Sequence, residues 1–381
     1  MIVDRQWAVR NLGFDPVATP PPSTAMALGA QPKTDEDYQR EIIDFDSEAP
    51  HGQQFLALAS TATGLSKFKD IKWPKGLAPT PGRKPAGGAQ TPLPRGDVLV
   101  VTWTVDEGHA LSRVLTPGYD SRNDWVPYTH NYAKISRQMV PRAPARQLKR
   151  LGSYWTTKIG SKKVVLVKSD SHMSQDGPKL PNRLVWRQWI EEVKPKLILT
   201  TGTGGGIGPD FEVGDVIVSP YVHFDCIKKF KSEPFAKAAY HSRERVLKTA
   251  LKRAEALFKY NAGQLPPDNT RKPKNILSNS TVHGVVTTDF FGFDTSANTY
   301  KLQGLGDLSE MGDAVLGLVS KQLGEKAAPW IVVRNVSDPQ INSKGMTLQQ
   351  QAQLAASIYK GYGRWSSVCS AITCWALIAA L

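Results

Sequence analysis

From Asp97 onward, apolar runs of strand length alternate with stretches of helical periodicity. That alternation predicts an α/β fold, a three-layer αβα arrangement around a central mixed, mostly parallel sheet. A second observation agrees. The run Leu197-Ile198-Leu199 enters Thr200-Thr201-Gly202-Thr203-Gly204-Gly205-Gly206, then passes Pro209 and Gly214 into Val216-Ile217-Val218. Two buried-strand signals flanking a Gly/Thr-rich turn place a ligand at the strand ends, because glycine admits close backbone approach and threonine adds donors. A glycine-rich turn with no ligand would read the same way locally. The spacing matches neither G-x-G-x-x-G nor a phosphate loop ending in Gly-Lys-Ser/Thr, which disfavours a dinucleotide fold and a P-loop ATPase.

In chain order, residues 1–95 are set apart by Pro20-Pro21-Pro22 and by prolines at 74, 79, 81, 85, 92 and 94. Only Glu36 to Ile43 and Gln53 to Leu65 read as helical there, so we expect a largely irregular arm or linker. The main domain is expected over residues 96–381. Val98 to Val101 reads as a buried strand and Ala110 to Leu115 as part of a helix. Lys163 to Lys168 is a strand, Leu184 to Val193 a helix, and Leu197 to Thr200 the pivotal strand before the turn. Asp215 to Ser219 follows as a strand and Arg243 to Phe258 as a basic helix. After a polar loop, Gln264 to Lys274, a strand is expected over Val282 to Thr287. A helix should begin near Ser309-Glu310-Met311 and end near Gly324. The strand Trp330 to Val336 runs into Ser337-Asp338-Pro339, and Val368 to Leu381 reads as a terminal helix packed on the sheet.

Composition bounds the function. The chain has 381 residues, 40% of them hydrophobic, which is ample for a core. Cys226, Cys369 and Cys374 form no C-x-x-C pair, so neither a disulfide framework nor a zinc site is expected, and a reducing, cytoplasmic setting fits. No secretory leader is read, and the last apolar run is too short to span a bilayer. Lys and Arg total 48 against 34 Asp and Glu, a net charge of +14. That excess suggests an anionic partner, with Arg142-Arg146-Lys149-Arg150 and Lys228-Lys229-Lys231 as candidate patches or simply solvated faces. No zinc finger, RRM signature or heptad repeat supports a nucleic-acid binder.

Asp338 is the strongest acid candidate, since it ends an apolar strand where α/β folds place their sites; Ser-Asp-Pro is equally a turn signal. Glu107, with Asp106 beside it, follows the first strand and reads as a helix-start carboxylate or as the partner in acid/base work. Phe290-Phe291, after Thr287-Thr288-Asp289, offers an aromatic face for a flat base, or core.

These stretches, taken together, resemble the superfamily of purine nucleoside phosphorylases and methylthioadenosine/S-adenosylhomocysteine nucleosidases. The resemblance begins at Asp97 to Leu111 (DVLVVTWTVDEGHAL) and continues through TTGTGGGIGPDFEVGDVIVS. VVTTDFF (Val285 to Phe291), SEMGDA (Ser309 to Ala314) and VRNVSD (Val333 to Asp338) follow in order. It implies a nucleoside phosphorylase-like fold and a purine nucleosidase acting on an adenosine-like nucleoside or nucleotide. On this resemblance Asp338 is the acid that protonates the purine at N7, Ser337 orients it, and Glu107 activates water. Thr203, Gly204 and Gly205 line the ribose and nucleophile site, Phe291 stacks on the base, and Glu310 and Met311 lie beneath the ribose. It also implies a homo-oligomer, with no metal or organic cofactor.

Two departures from the family pattern stand out. The family's Glu-Met-Glu, whose second glutamate holds the ribose hydroxyls, reads Glu310-Met311-Gly312 here. Asp313 is a candidate substrate ligand, but it lies about 100° further round a helix, which argues against its substituting. That leaves a sugar held differently, a substrate altered at those hydroxyls, or weak activity. No Gly-Asp-Pro-x-Arg segment of the phosphate-binding type is present. Water is therefore expected as nucleophile, with a phosphorylase or a non-catalytic nucleotide sensor as the alternatives.

Overall fold

The computed structural model describes residues 70–85, 90–261, 269–290, 301–338 and 348–381. Strands run in chain order as β1 (Thr80–Pro81), β2 (Val98–Thr102), β3 (Val126–Tyr128), β4 (Gly152–Ile159), β5 (Lys162–Ser169), β6 (Leu197–Gly206) and β7 (Val216–Ser219). They continue as β8 (Tyr221–Asp225), β9 (Ala239–His241), β10 (Asn275–Leu277), β11 (Val285–Thr288), β12 (Leu308–Glu310) and β13 (Trp330–Asp338). The helices are α1 (Val105–Leu115), α2 (Tyr132–Ser136), α3 (Pro144–Gln147), α4 (Asn182–Val193), α5 (Lys248–Phe258), α6 (Asp313–Leu323) and α7 (Leu348–Ile378). They form a single sheet in the order β1-β4-β5-β2-β6-β12-β11-β8-β9, with β13 joined to β6 and β7. One helical layer groups α1, α5 and α7, and α4 packs with α6 in the other. This is the expected three-layer α/β architecture.

Strand β6 organises the sheet. Its first half pairs in parallel with β2, Val98 opposite Leu197 through Val101 opposite Thr200. On the other side β13 accompanies it in parallel from Trp330 opposite Ile198 to Asp338 opposite Gly205. All five β2 residues are buried, as are the first six of β6, because both faces of a parallel sheet are covered by helices. Beyond Thr200 the neighbour on the β2 side changes: β12 takes over, antiparallel, at Gly205 and Gly206. Between them the edge of β6 at Gly202 and Thr203 lacks a strand partner among the described residues, and the catalytic candidates gather at that gap.

Several elements differ from expectation for local physical reasons. The stretch from Thr200 to Gly206 is not a turn but the second half of a ten-residue strand. Its glycines serve close approach: a Cβ on Gly204 would collide with Leu308 of β12. Glu310 ends a strand rather than starting a helix, and α6 begins at Asp313, where Glu310 collects the first helical N–H groups. The basic helix starts at Lys248, five residues later than expected, and Thr281–His283 is a 3₁₀ turn ahead of β11. Strands β3, β4, β8, β9 and β10 went unread because they are short or polar. The helices expected at Glu36 to Ile43 and Gln53 to Leu65 lie outside the described residues.

The segment before β2 lies against the domain. Thr80 and Pro81 pair with Lys158 and Thr157 of β4, Leu93 is buried, and Trp73 packs on Trp375 at 4.6 Å between ring centroids. At the other end, α7 extends over 31 residues, more than twice the terminal helix expected, and lies along β13 and β6. Among the described residues no helix is long and apolar enough to cross a membrane.

A buried polar clasp fixes α7 to β13. Asn335, fully buried, donates from Nδ2 to Ser366 Oγ at 2.7 Å and accepts from Ser370 Oγ at 2.8 Å. Asn335→Ala is expected to cost about 2–4 kcal/mol, by leaving a cavity and removing two buried hydrogen bonds. Urea titration should show the midpoint fall with the slope unchanged.

Candidate active site

A cleft of ≈ 650 Å³ opens where β2, β6, β12 and β13 end, lined by Trp103, Glu107, Glu310, Arg334, Asp338 and their neighbours. Of the residues expected from sequence, Glu107, Thr203, Gly204, Gly205, Phe290, Glu310, Met311, Ser337 and Asp338 all border it. Asp313 does not. Phe291 lies outside the described residues.

Glu107 is placed by helix-start chemistry. Thr104 is the N-cap of α1 and Glu107 its third residue, so the pair forms a capping box in which each satisfies the other's backbone N–H. Oε2 also accepts from Thr102 Oγ1 at 3.0 Å and from the N–H of Trp103 at 2.9 Å. Oε1 reaches across to the unpaired edge of β6 and accepts from Thr203 N and Thr203 Oγ1, both at 2.8 Å. Five donors therefore converge on one buried carboxylate. Gly202 makes room for it: its φ is +156°, and a Cβ there would overlap Glu107 Oε1.

Arg334 went unsingled by the sequence reading, although a charge inside the apolar run IVVRNV was the available signal: a cation there must be paired. It is 4% exposed. Its Nε and Nη2 grip Asp313 as a fork at 2.7 and 2.8 Å, Nη2 lies 3.3 Å from Glu310 Oε2, and Nη1 lies 3.8 Å from Glu107 Oε1. The Trp103 ring covers the guanidinium at 4.6 Å. Asp313, a candidate substrate ligand in the sequence, is thus fully buried and held by Arg334, which is why it misses the cleft. The nearest atoms to a Cβ on Gly312 are 3.8 Å away, so packing does not demand glycine there.

Glu310 is similarly enclosed, accepting from Gly312 N at 2.6 Å, Asp313 N at 2.9 Å and the Thr287 hydroxyl. Burial and the neighbouring Asp313 carboxylate raise its proton affinity. Asp338 is the contrasting group. Among the described residues its carboxylate meets one donor, Ser337 Oγ at 2.8 Å from Oδ1, and burial pushes its pKa up to about 6. Ser337 Oγ also lies 3.2 Å from Gly204 O, which ties the acid to β6.

Two further lining residues carried no local signal. His172, after β5, has Nδ1 2.7 Å from Ser174 Oγ and 3.3 Å from Ser174 N. Burial, then Arg334 and Lys229, pull its pKa down to about 3, so it is a neutral imidazole. Tyr359 enters from α7, its hydroxyl 3.4 Å from Thr104 Oγ1. The basic clusters are partly spent internally: Arg150 bonds Asp170 at 2.7 Å, and Lys229 Nζ donates to Ser174 O at 2.7 Å. Among the described residues no group of His, Cys, Asp and Glu could hold a metal ion.

A family model described as the phosphorylase superfamily matches residues 130–362. No curated protein matches the chain. Among solved structures, the 5′-methylthioadenosine/S-adenosylhomocysteine nucleosidase of Neisseria meningitidis, in complex with methylthio-immucillin-A, is similar at 16% identity and a TM-score of 0.47. The match covers 75% of this chain and 100% of that one. The corresponding Campylobacter jejuni nucleosidase is similar at 19% identity and a TM-score of 0.45, covering 75% and 100%. Futalosine hydrolase of Helicobacter pylori is similar at 14% identity and 0.45, covering 74% and 97%.

The raised pKa of Asp338 has a stability consequence. A carboxyl whose folded pKa lies above its unfolded value of 3.8 stabilises the fold below that value, and the contribution is lost as pH rises through about 6. Asp338→Asn should therefore be more stable than the parent at pH 8. The difference should shrink through the window from 6 to 4, as read by thermal melts across pH.

Proposed function

The chain belongs to the phosphorylase superfamily, and from that premise we propose that it is a purine nucleosidase, hydrolysing the N-glycosidic bond of an adenosine-like nucleoside or nucleotide. One observation carries this reading. Two carboxylates of opposite character face one cleft: Asp338 with a single donor among the described residues and a raised pKa, and Glu107 with five donors and a cation beside it. Unlike environments separate an acid from its partner in acid/base chemistry.

Asp338 gives its proton to N7 of the purine as the bond from C1′ to N9 breaks and the bonding pair moves onto the base. The sugar becomes cationic, and the buried carboxylates of Glu107 and Glu310 lie within the same wall to offset that charge. Water adds at C1′ and yields its proton toward Glu107. Both Glu107 oxygens are already engaged, so one donor must give way to admit the water. The Thr203 hydroxyl is the natural one, being a free rotor next to a fixed N–H. Neutral His172 and the Tyr359 hydroxyl border the same space as uncharged polar contacts. Arg334 is committed to three carboxylates, which leaves it poorly placed to grip a phosphate nucleophile and favours water.

Chromatography of free base tests this. Methylthioadenosine, S-adenosylhomocysteine, adenosine, inosine, AMP and ATP would each be incubated with enzyme, with and without phosphate. Release without phosphate is expected from at least one of them, and Asp338→Asn should lower it roughly 10²–10⁴-fold. Because the acid must hold its proton, kcat/KM should fall as pH rises through about 6. Release only with phosphate would make the enzyme a phosphorylase, and no release from any compound would sink the proposal.

A further inference from the structure

Tyr359 reaches the catalytic cleft from α7, a helix that carries none of the motifs read from the sequence. The residue is 7% exposed, and its ring lies against Gly363, one turn further along α7. A Cβ on Gly363 would sit 3.3–3.4 Å from three ring carbons, so a side chain there would press on the ring. Glycine inside a helix is destabilising, and at this position it leaves the phenol a fixed place.

The phenol hydroxyl stands between two threonines already tied to Glu107. It donates to Thr104 Oγ1 at 3.4 Å, and Thr104 Oγ1 accepts in turn from Glu107 N at 3.3 Å. Thr203 is also within hydrogen-bonding reach of the phenol, while its own hydroxyl proton points to Glu107 Oε1 at 2.8 Å. Burial foremost, then the Asp106 and Glu107 carboxylates, hold the phenol well above its usual pKa; the two threonine hydroxyls act the other way. Tyr359 therefore keeps its proton. It donates to Thr104 and has lone pairs for a second donor.

Water can reach Glu107 only where a donor leaves it. The backbone N–H groups of Trp103, Thr104 and Thr203 are fixed by the start of α1 and by β6. Of the two hydroxyls on Glu107, that of Thr102 is fully buried and does not line the cleft, whereas Thr203 does. A hydroxyl turned off its acceptor in such a place is costly unless another acceptor waits.

Building on the nucleosidase reading, we propose that Tyr359 is a positioning residue: its phenol oxygen receives the Thr203 hydroxyl when that hydroxyl leaves Glu107, which opens Oε1 to the attacking water. No covalent bond changes in this step. Thr203 donates to Glu107 in one setting and to Tyr359 in the other, and Tyr359 donates to Thr104 in both. Every hydroxyl in the row stays satisfied, and Glu107 exchanges one protein donor for the water.

Tyr359→Phe tests this, because it removes the hydroxyl and keeps the ring on Gly363. With whichever compound the parent cleaves best, the variant should lose about tenfold in kcat, the worth of one hydrogen bond, with KM unchanged. The fall of kcat/KM through about pH 6 should stay in place, since Asp338 is untouched. Thr203→Val supplies the control. Glu107 Oε1 has no hydroxyl to release there, so adding Tyr359→Phe should lower kcat no further. Losses that multiply in the double variant would mark separate structural effects and overturn the proposal. So would an unchanged kcat in Tyr359→Phe, or a loss carried by KM, which a loosened cleft would produce. A parent that releases no base fails the nucleosidase reading and the role of Tyr359 together, whereas an active parent indifferent to Tyr359→Phe fails the second alone.

Discussion

One buried cation holds the candidate site together. Arg334 projects from the central strand β13 and meets Glu107 at the start of α1, Glu310 at the end of β12 and Asp313 at the start of α6. A guanidinium in such a place carries a desolvation penalty of several kcal/mol, offset only by close geometry and full hydrogen bonding. Here both conditions hold. The fork on Asp313 is bidentate, Trp103 covers the remaining face, and the Glu107 and Glu310 carboxylates have their own backbone donors. Because the three acids belong to three different elements, a single charge sets the relative placement of β13, β12 and both helix starts. Side chains locked in this way keep the cleft wall in one arrangement, which a site for chemistry requires.

The same acids also begin helices. Glu107 completes a capping box, and Glu310 receives the N–H groups of Gly312 and Asp313 ahead of α6. A carboxylate at a helix N-terminus is favoured by the macrodipole and by the orphan donors there, whatever else it does. Structural and chemical readings of Glu107 and Glu310 are therefore not rivals. The cap supplies a fixed, buried acceptor at the mouth of the sheet, and the cleft is where both helices start.

How much of this was legible depends on how local each signal is. Val98 to Val101, Leu197 to Leu199 and Trp330 to Val336 are apolar runs whose burial follows from composition alone, and they became the sheet's centre. The ordered motifs around Glu107, Thr203, Glu310 and Asp338 came together in one cleft because three of them end or follow one of those strands and Glu310 ends β12, which pairs with β6. The failures were contextual. Gly202 and Gly204 read as a turn, yet they sit in a strand because Glu107 and Leu308 approach too closely for a side chain. Asp313 read as a candidate substrate ligand, and only the position of Arg334, twenty-one residues on, shows where its carboxylate goes. His172 and Tyr359 reach the cleft through loop and helix placement that no spacing in the sequence encodes.

What separates the two proposed roles is a gap in a ladder. Strand β6 exchanges one neighbour for another between Thr200 and Gly205, and a backbone N–H is left at Thr203. Glu107 fills that vacancy and so gathers donors on both oxygens. On the opposite edge β13 stays paired to its end, with a shift in register at Ser337, and delivers Asp338 beside Gly205, where a serine hydroxyl is its one donor among the described residues. The difference in donor number thus follows from strand pairing, and not from the carboxylates themselves. One edge of β6 turns its carboxylate into an acceptor held on every side, and the other leaves its carboxylate with proton affinity to spare.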